Sequence, residues 1–214
     1  MQTNRMATVL AAAAVLLAAS AGASPDVPTT LNFAIMRNGA QIGTNLIRIG
    51  RDGADTTVQM VTHIDVGIAF LTLYKFDQTE SERWAKGRLL SMTAMTNDNG
   101  TVHQTSATAQ NGAIVVQCNG KTSETPSTTI PYSLWNPALL AHNVALDTRD
   151  GGLEAIKVID RGEENVVVEG RTRRAHHYQI VTNFPQDVWY DDSGELVQVE
   201  MKGTDGSDIT YRLV

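Results

Sequence analysis

The chain has 214 residues, a formal net charge of −6, 42% hydrophobic and 19% charged residues, and a single cysteine. An acidic balance excludes nucleic acid and an anionic membrane surface as the main partner, because both call for a basic face. One cysteine excludes an intrachain disulfide, so stability must come from a core, and a chain of this size removes roughly 70% of its unfolded surface from water.

Arg5 is the only charge ahead of an apolar run from Ala7 to Ala19, and Ala21-Gly22-Ala23 supplies the small-x-small pattern that a signal peptidase needs. The sequence therefore predicts a leader over residues 1–23, cleaved after Ala23, and one mature domain over residues 24–214 that is periplasmic or secreted. The apolar run, about 13 residues, is shorter than the roughly 20 of a membrane-spanning helix, and no second run of that length follows, so no membrane span is expected. Removing Arg5 with the leader shifts the net charge from −6 to −7. An exported address also argues against a nucleotide-using cytosolic enzyme.

Beyond residue 30 the chain is rich in Thr and Val, with Gly at short intervals, which is strand composition. Leu31, Phe33 and Ile35 alternate, Asn38-Gly39 supplies a tight hairpin turn, and Ile42 to Ile49 runs back. Thr57 to Val66 has period two, with Val58, Met60, Ile64 and Val66 on one face and Gln59, His63 and Asp65 on the other. Tyr74 to Trp84 and Arg88 to Thr96 form a hairpin through Ala85-Lys86-Gly87. Thr101 to Gln110 and Ala113 to Cys118 follow, turned by Asn97 to Gly100 and by Asn111-Gly112. Cys118, after Val115-Val116, reads as an inert core thiol. Polar residues 119–129 read as a surface loop. One helix follows, with Asn136 as N-cap, Pro137 at the first position, Trp135 stapled on Leu140 and an end near Asn143. Strands resume at Leu153 to Asp160, Asn165 to Glu169, Ala175 to Thr182, Gln186 to Tyr190, Leu196 to Lys202 and Asp208 to Leu213. The predicted fold is all-β: a single antiparallel meander curved into a barrel or half-barrel, with one short helix.

Two stretches about 106 residues apart echo each other. Trp84 is followed by Gly87-x-Leu89-Leu90-x-Met92 and Asp98-Asn99-Gly100, and Trp189 by Gly194-x-Leu196-Val197-x-Val199 and Asp205-Gly206. With Asn38-Gly39, Glu82 to Leu89, Thr96 to Gly100, Ser133-Leu134-Trp135-Asn136 and Val188-Trp189-Tyr190-Asp191, these residues make the mature chain resemble a family of exported proteobacterial proteins of about 200 residues known as a domain of unknown function. The Trp-turn-Gly-x-Leu ending is also similar to the last hairpins of the periplasmic lipoprotein-carrier group, whose half-barrels hold acyl chains. That resemblance implies an architecture more than an activity.

His63 and Asp65, two apart on a strand, share a face and have the makings of a general-base dyad, beside the plainer reading of a solvated polar face. Glu80 and Glu82 also share a face, roughly 7 Å apart by strand rise, as an acid/base carboxylate pair would. Pairing through the Ala85-Lys86-Gly87 turn would set Arg88 opposite Trp84 and near Glu82, so a cross-strand salt bridge is the favoured reading there. Arg173, Arg174 and His176 make a local basic cluster for an anionic headgroup or partner. His176 and His177 point to opposite faces, and His103 and His142 lie on unrelated segments, so no metal site is expected. Gly120-Lys121-Thr122 resembles the end of a phosphate loop, but Val115 stands where that motif needs Gly, and no cofactor is expected. Val66 to Tyr74 drops strict alternation and is uncharged until Lys75, as a core strand or an apolar flap over a barrel mouth would be. Ile68, Phe70, Tyr74, Trp84 and Trp135 are the expected ligand contacts. The leading functional reading is a non-catalytic protein that binds a hydrophobic small molecule or an envelope protein; an enzyme with polar groups inside the barrel and an envelope scaffold are the alternatives.

Overall fold

A computed structural model describes residues 28–68 and 71–214. The leader expected over residues 1–23 lies outside the described residues. The strands in chain order are β1 (Thr29–Arg37), β2 (Ala40–Asp52), β3 (Asp55–Ile68), β4 (Leu71–Ala85), β5 (Arg88–Asp98), β6 (Thr101–Gln110), β7 (Ala113–Cys118) and β8 (Lys121–Pro126). After a 3₁₀ turn at Pro137–Ala141 come β9 (Val144–Leu146), β10 (Leu153–Ala155), β11 (Lys157–Val168), β12 (Arg171–Val181), β13 (Gln186–Asp191), β14 (Leu196–Lys202) and β15 (Asp208–Leu213).

Local turn chemistry drives the meander. Asn38-Gly39 takes φ of 49° and 84°, the paired positive values of a turn whose twist matches the flanking strands. Asn99-Gly100, Asn111-Gly112 and Asn119-Gly120 repeat it, as do Lys86-Gly87 and Glu169-Gly170. Thirteen strands form one antiparallel sheet in the order β11 to β15, then β1 to β8. The first and last strands of the chain meet in its middle, with Phe33 opposite Leu213 and Arg37 opposite Ile209. The sheet does not close: its edges are β8 and β11, the strands that flank the middle of the chain.

Residues 127–156, between those edges, cross the concave face as a strap. Ile130, Trp135, Leu139, Ala145, Leu146 and Ile156 belong to the same buried core as Phe33, Met92 and Val188 of the sheet. On one side Thr105 of β6 donates to the Arg149 carbonyl at 3.1 Å, and on the other Tyr190 of β13 donates to the Leu134 carbonyl at 2.8 Å. The barrel-like interior is thus filled by the chain itself.

Three expectations change. Residues 119–129 contain a tight turn and β8, which reads as loop because an edge strand facing water is polar. The expected helix is a single 3₁₀ turn. Asn136 caps it by accepting from Ala138 N at 3.1 Å, and the backbone bonds Leu139 N to Asn136 O and His142 N to Leu139 O span three residues. Leu153 to Asp160 is broken at Ile156, whose side chain enters the core while its N–H bonds Asn143 O. Beyond the break, β11 runs on through an irregularity between Asp160 and Gly162 to absorb the strand expected at Asn165.

Candidate functional site

Successive strand residues face opposite ways, so Gln78, Glu80, Glu82 and Trp84 of β4 all point inward, toward the strap. Glu80 and Glu82 are 6% and 1% exposed. The Glu82 carboxylate accepts from Trp84 Nε1 at 2.7 Å and Trp135 Nε1 at 2.9 Å, both on Oε2, and from Ser133 Oγ at 2.5 Å on Oε1. The two indoles meet edge to face, 5.9 Å between centroids. Ser133 Oγ lies 3.1 Å from Glu80 Oε1. Burial, then the negative charge of Glu82 and a hydrogen bond to it, push the Glu80 carboxyl well above the usual carboxylate range, and hydrogen bonds with Thr148 and Ser133 offset this only in part.

The salt bridge expected between Glu82 and Arg88 is absent. A register shift between Arg83 and Trp84 sets Trp84 opposite Leu89 and Arg88 opposite Ala85, leaving Arg88 exposed and Glu82 to neutral donors. Trp84 and Trp135, expected to contact a ligand, are 4% and 8% exposed and committed to each other and to Glu82. Ser133 and Thr148 escaped the sequence reading because they reach the pair only through the strap. The visible trace was Glu82 sharing its face with Trp84.

His63 and Asp65 are exposed on the outer face and do not form a dyad. His63 Nδ1 is 2.5 Å from Oδ1 of Asp77, its register partner on β4. Cross-strand neighbours are closer than residues two apart on one strand. The hydrogen bond from His63, then that from Lys75, holds the Asp77 carboxyl below its usual range.

The β3–β4 pair outruns both neighbours. Pairing of β2 with β3 stops at Gly43 opposite Ile64, and pairing of β4 with β5 stops at Phe76 opposite Asp98. From Asp65 to Ile68 and from Leu71 to Lys75 the two strands form ladder pairs only with each other, with a register shift between Val66 and Gly67. On this projecting ribbon Val66 is half-buried and Leu73 is 47% exposed. Tyr74 sits half-buried at its base, and burial followed by a hydrogen bond with Asp98 pushes its phenol upward. Phe70 lies outside the described residues.

The basic cluster is neutralised internally. Arg173 pairs with Glu169 at 2.6 Å, Arg174 with Asp192 at 3.1 Å and Glu163 at 3.4 Å, and His176 with Asp160 at 2.6 Å. His177 lies between Glu164 at 3.2 Å and Asp187 at 2.8 Å and stacks on Trp189 at 4.3 Å. These carboxylates come from β11, β13 and the turns beside them, so each basic side chain of the cluster already has a carboxylate partner. Cys118 is partly buried, its Sγ 3.4 Å from Thr105 Oγ1. Among the described residues no three His, Cys, Asp or Glu side chains are grouped to hold a metal ion, and no helix is long and apolar enough to cross a membrane. Two shallow grooves, of about 570 and 740 Å³, lie on the outer face, one across β4 to β8 and the other around β1 and β12 to β15.

Residues 33–214 match the family model described as a domain of unknown function, DUF6134. No curated protein sequence matches the chain. Among solved structures, the fold is similar to a β-barrel-like protein of a second domain of unknown function, DUF1849, from Brucella abortus. That likeness has a TM-score of 0.64 at 12% identity, over 88% of this chain and 96% of that one.

Proposed function

The chain belongs to the DUF6134 family, and from that premise we propose that it acts without catalysis, as a cell-envelope binding protein whose β3–β4 ribbon docks a protein partner. The observation that carries this reading is the ribbon itself: an apolar, two-stranded projection that its neighbouring strands leave uncovered. Exposed apolar surface of this kind marks an interaction site. Asp77 at the base of the ribbon is paired with His63 and Lys75 and Asp65 lies beside them, so the ribbon presents no basic face of the kind an anionic membrane calls for. The leader read from the sequence supplies the envelope address. An interior lipid site has less support, because the strap and the inward faces of the sheet occupy the same space.

The test is site-specific photo-crosslinking in the native envelope with the reactive residue at Leu73, against a control at Ser106 on the outer face. A discrete protein adduct at 73, absent at 106, supports the reading. Adducts only to lipid, or equal labelling at both positions, overturn it. Co-purified lipid found by native mass spectrometry would favour the small-molecule alternative.

A further inference from the structure

We propose that residues 127–156 are a pH-released strap, and that a proton on Glu80, donated to Ser133 beside Glu82, holds it in the half-barrel. Ser133 has one hydroxyl proton and lies within hydrogen-bond distance of both carboxyls, 2.5 Å from Glu82 and 3.1 Å from Glu80. That proton goes to the closer oxygen, so the Glu80 contact is satisfied only if Glu80 itself is the donor. An acid beside a carboxylate makes a stable buried pair, whereas two buried carboxylates without a cation do not.

Among the described residues no group facing the pair supplies a compensating positive charge. By register β3 offers Val58 and Met60, and β5 offers Met92 and Ala94. The strap offers Ser133, Trp135 and Thr148, all neutral. On the strap Asp147 and Arg149 pair with each other, and Arg149 reaches on to Asp98 and Asp150. Among the described residues no lysine, arginine or histidine lies within 4 Å of either glutamate oxygen.

The strap supplies two of the three donors on Glu82 and both hydroxyls beside Glu80. Losing the Glu80 proton therefore sets a like-charge repulsion at the seam between strap and wall, and lifting the strap relieves it by admitting water. Release uncovers an apolar trough lined by Met60, Trp84 and Met92, with two carboxylates in its floor. Such a trough suits neutral or cationic apolar molecules and disfavours fatty-acid anions.

The test is hydrogen exchange of strap peptides in the full mature chain from pH 5 to 9, corrected for intrinsic exchange rates, with Nile red as a neutral probe of the trough. The strap's opening equilibrium should rise with pH, by up to tenfold per unit for one proton. Glu80→Gln, a neutral mimic of the protonated acid, should remove that pH dependence and keep the strap protected. Strap protection that is flat with pH in the wild type, or equally pH-dependent in Glu80→Gln, overturns the proposal. Ser133→Ala gives a second reading: it should raise opening at every pH and raise Nile red binding with it, and unchanged opening would count against the strap's seating through this pair.

Discussion

Trp84 and Trp135 donate to the same oxygen of Glu82, so the energetics of this region concentrate on one side chain. Removing it strands two indole N–H groups and a hydroxyl in the core, and each unpaired group costs about 1–3 kcal/mol. Glu82→Ala should therefore lower unfolding free energy by roughly 3–5 kcal/mol in urea melts, while Trp135→Phe, which keeps most of the ring, should cost about 1–2 kcal/mol. Glu80 sets the pH dependence. The folded chain holds its proton above the ordinary glutamate value of 4.5, at which the unfolded chain releases it. The stability this contributes is complete below that value and declines as pH rises toward the folded value, by up to about 1.4 kcal/mol per unit. Glu80→Gln should flatten the decline, which chemical denaturation at several pH values would read. At this scale the sequence went only part of the way. That Glu80 and Glu82 share a face follows from strand periodicity. That both are buried does not, because Ser133 is 51 residues from Glu82 along the chain.

Hairpins are where the sequence was most legible, since an Asn-Gly turn fixes both the reversal and the register within a few residues. The echo between the two Trp-bearing hairpins extends into geometry. Pairing slips between Arg83 and Trp84 in one and between Trp189 and Tyr190 in the other, and both indoles donate to a glutamate, Glu82 and Glu164. What hid from the sequence were slips of this kind, each of which reassigns the partners of every residue beyond it. One close approach in the sheet yields a direct test: a Cβ at Gly43 would stand 2.1 Å from the carbonyl oxygen of His63, and backbone cannot give way as a side chain can. Gly43→Ala should cost about 1–3 kcal/mol and lower Tm. Leu73→Asp, on the exposed ribbon, should leave Tm within the narrow range of surface changes. A large loss of Tm in Leu73→Asp would mean that the ribbon serves folding rather than docking.

The whole molecule is organised by two long-range events, the meeting of β1 with β15 and the passage of the strap between the sheet edges. Deleting residues 208–214 would leave β1 and β14 facing each other without the strand that joins them, dividing a 13-stranded sheet into two incomplete halves. Circular dichroism and solubility should report loss of the folded state, not local fraying. By itself the sequence determined the strand content, the meander, most of the turns and the barrel-like class, because each follows from local periodicity and turn chemistry. Only the tertiary structure decided that the sheet stays open, what fills the barrel, which carboxylates pair with the basic cluster and where apolar surface is left uncovered. Those outcomes depend on contacts between residues far apart in the chain, and a single sequence carries no local pattern for them.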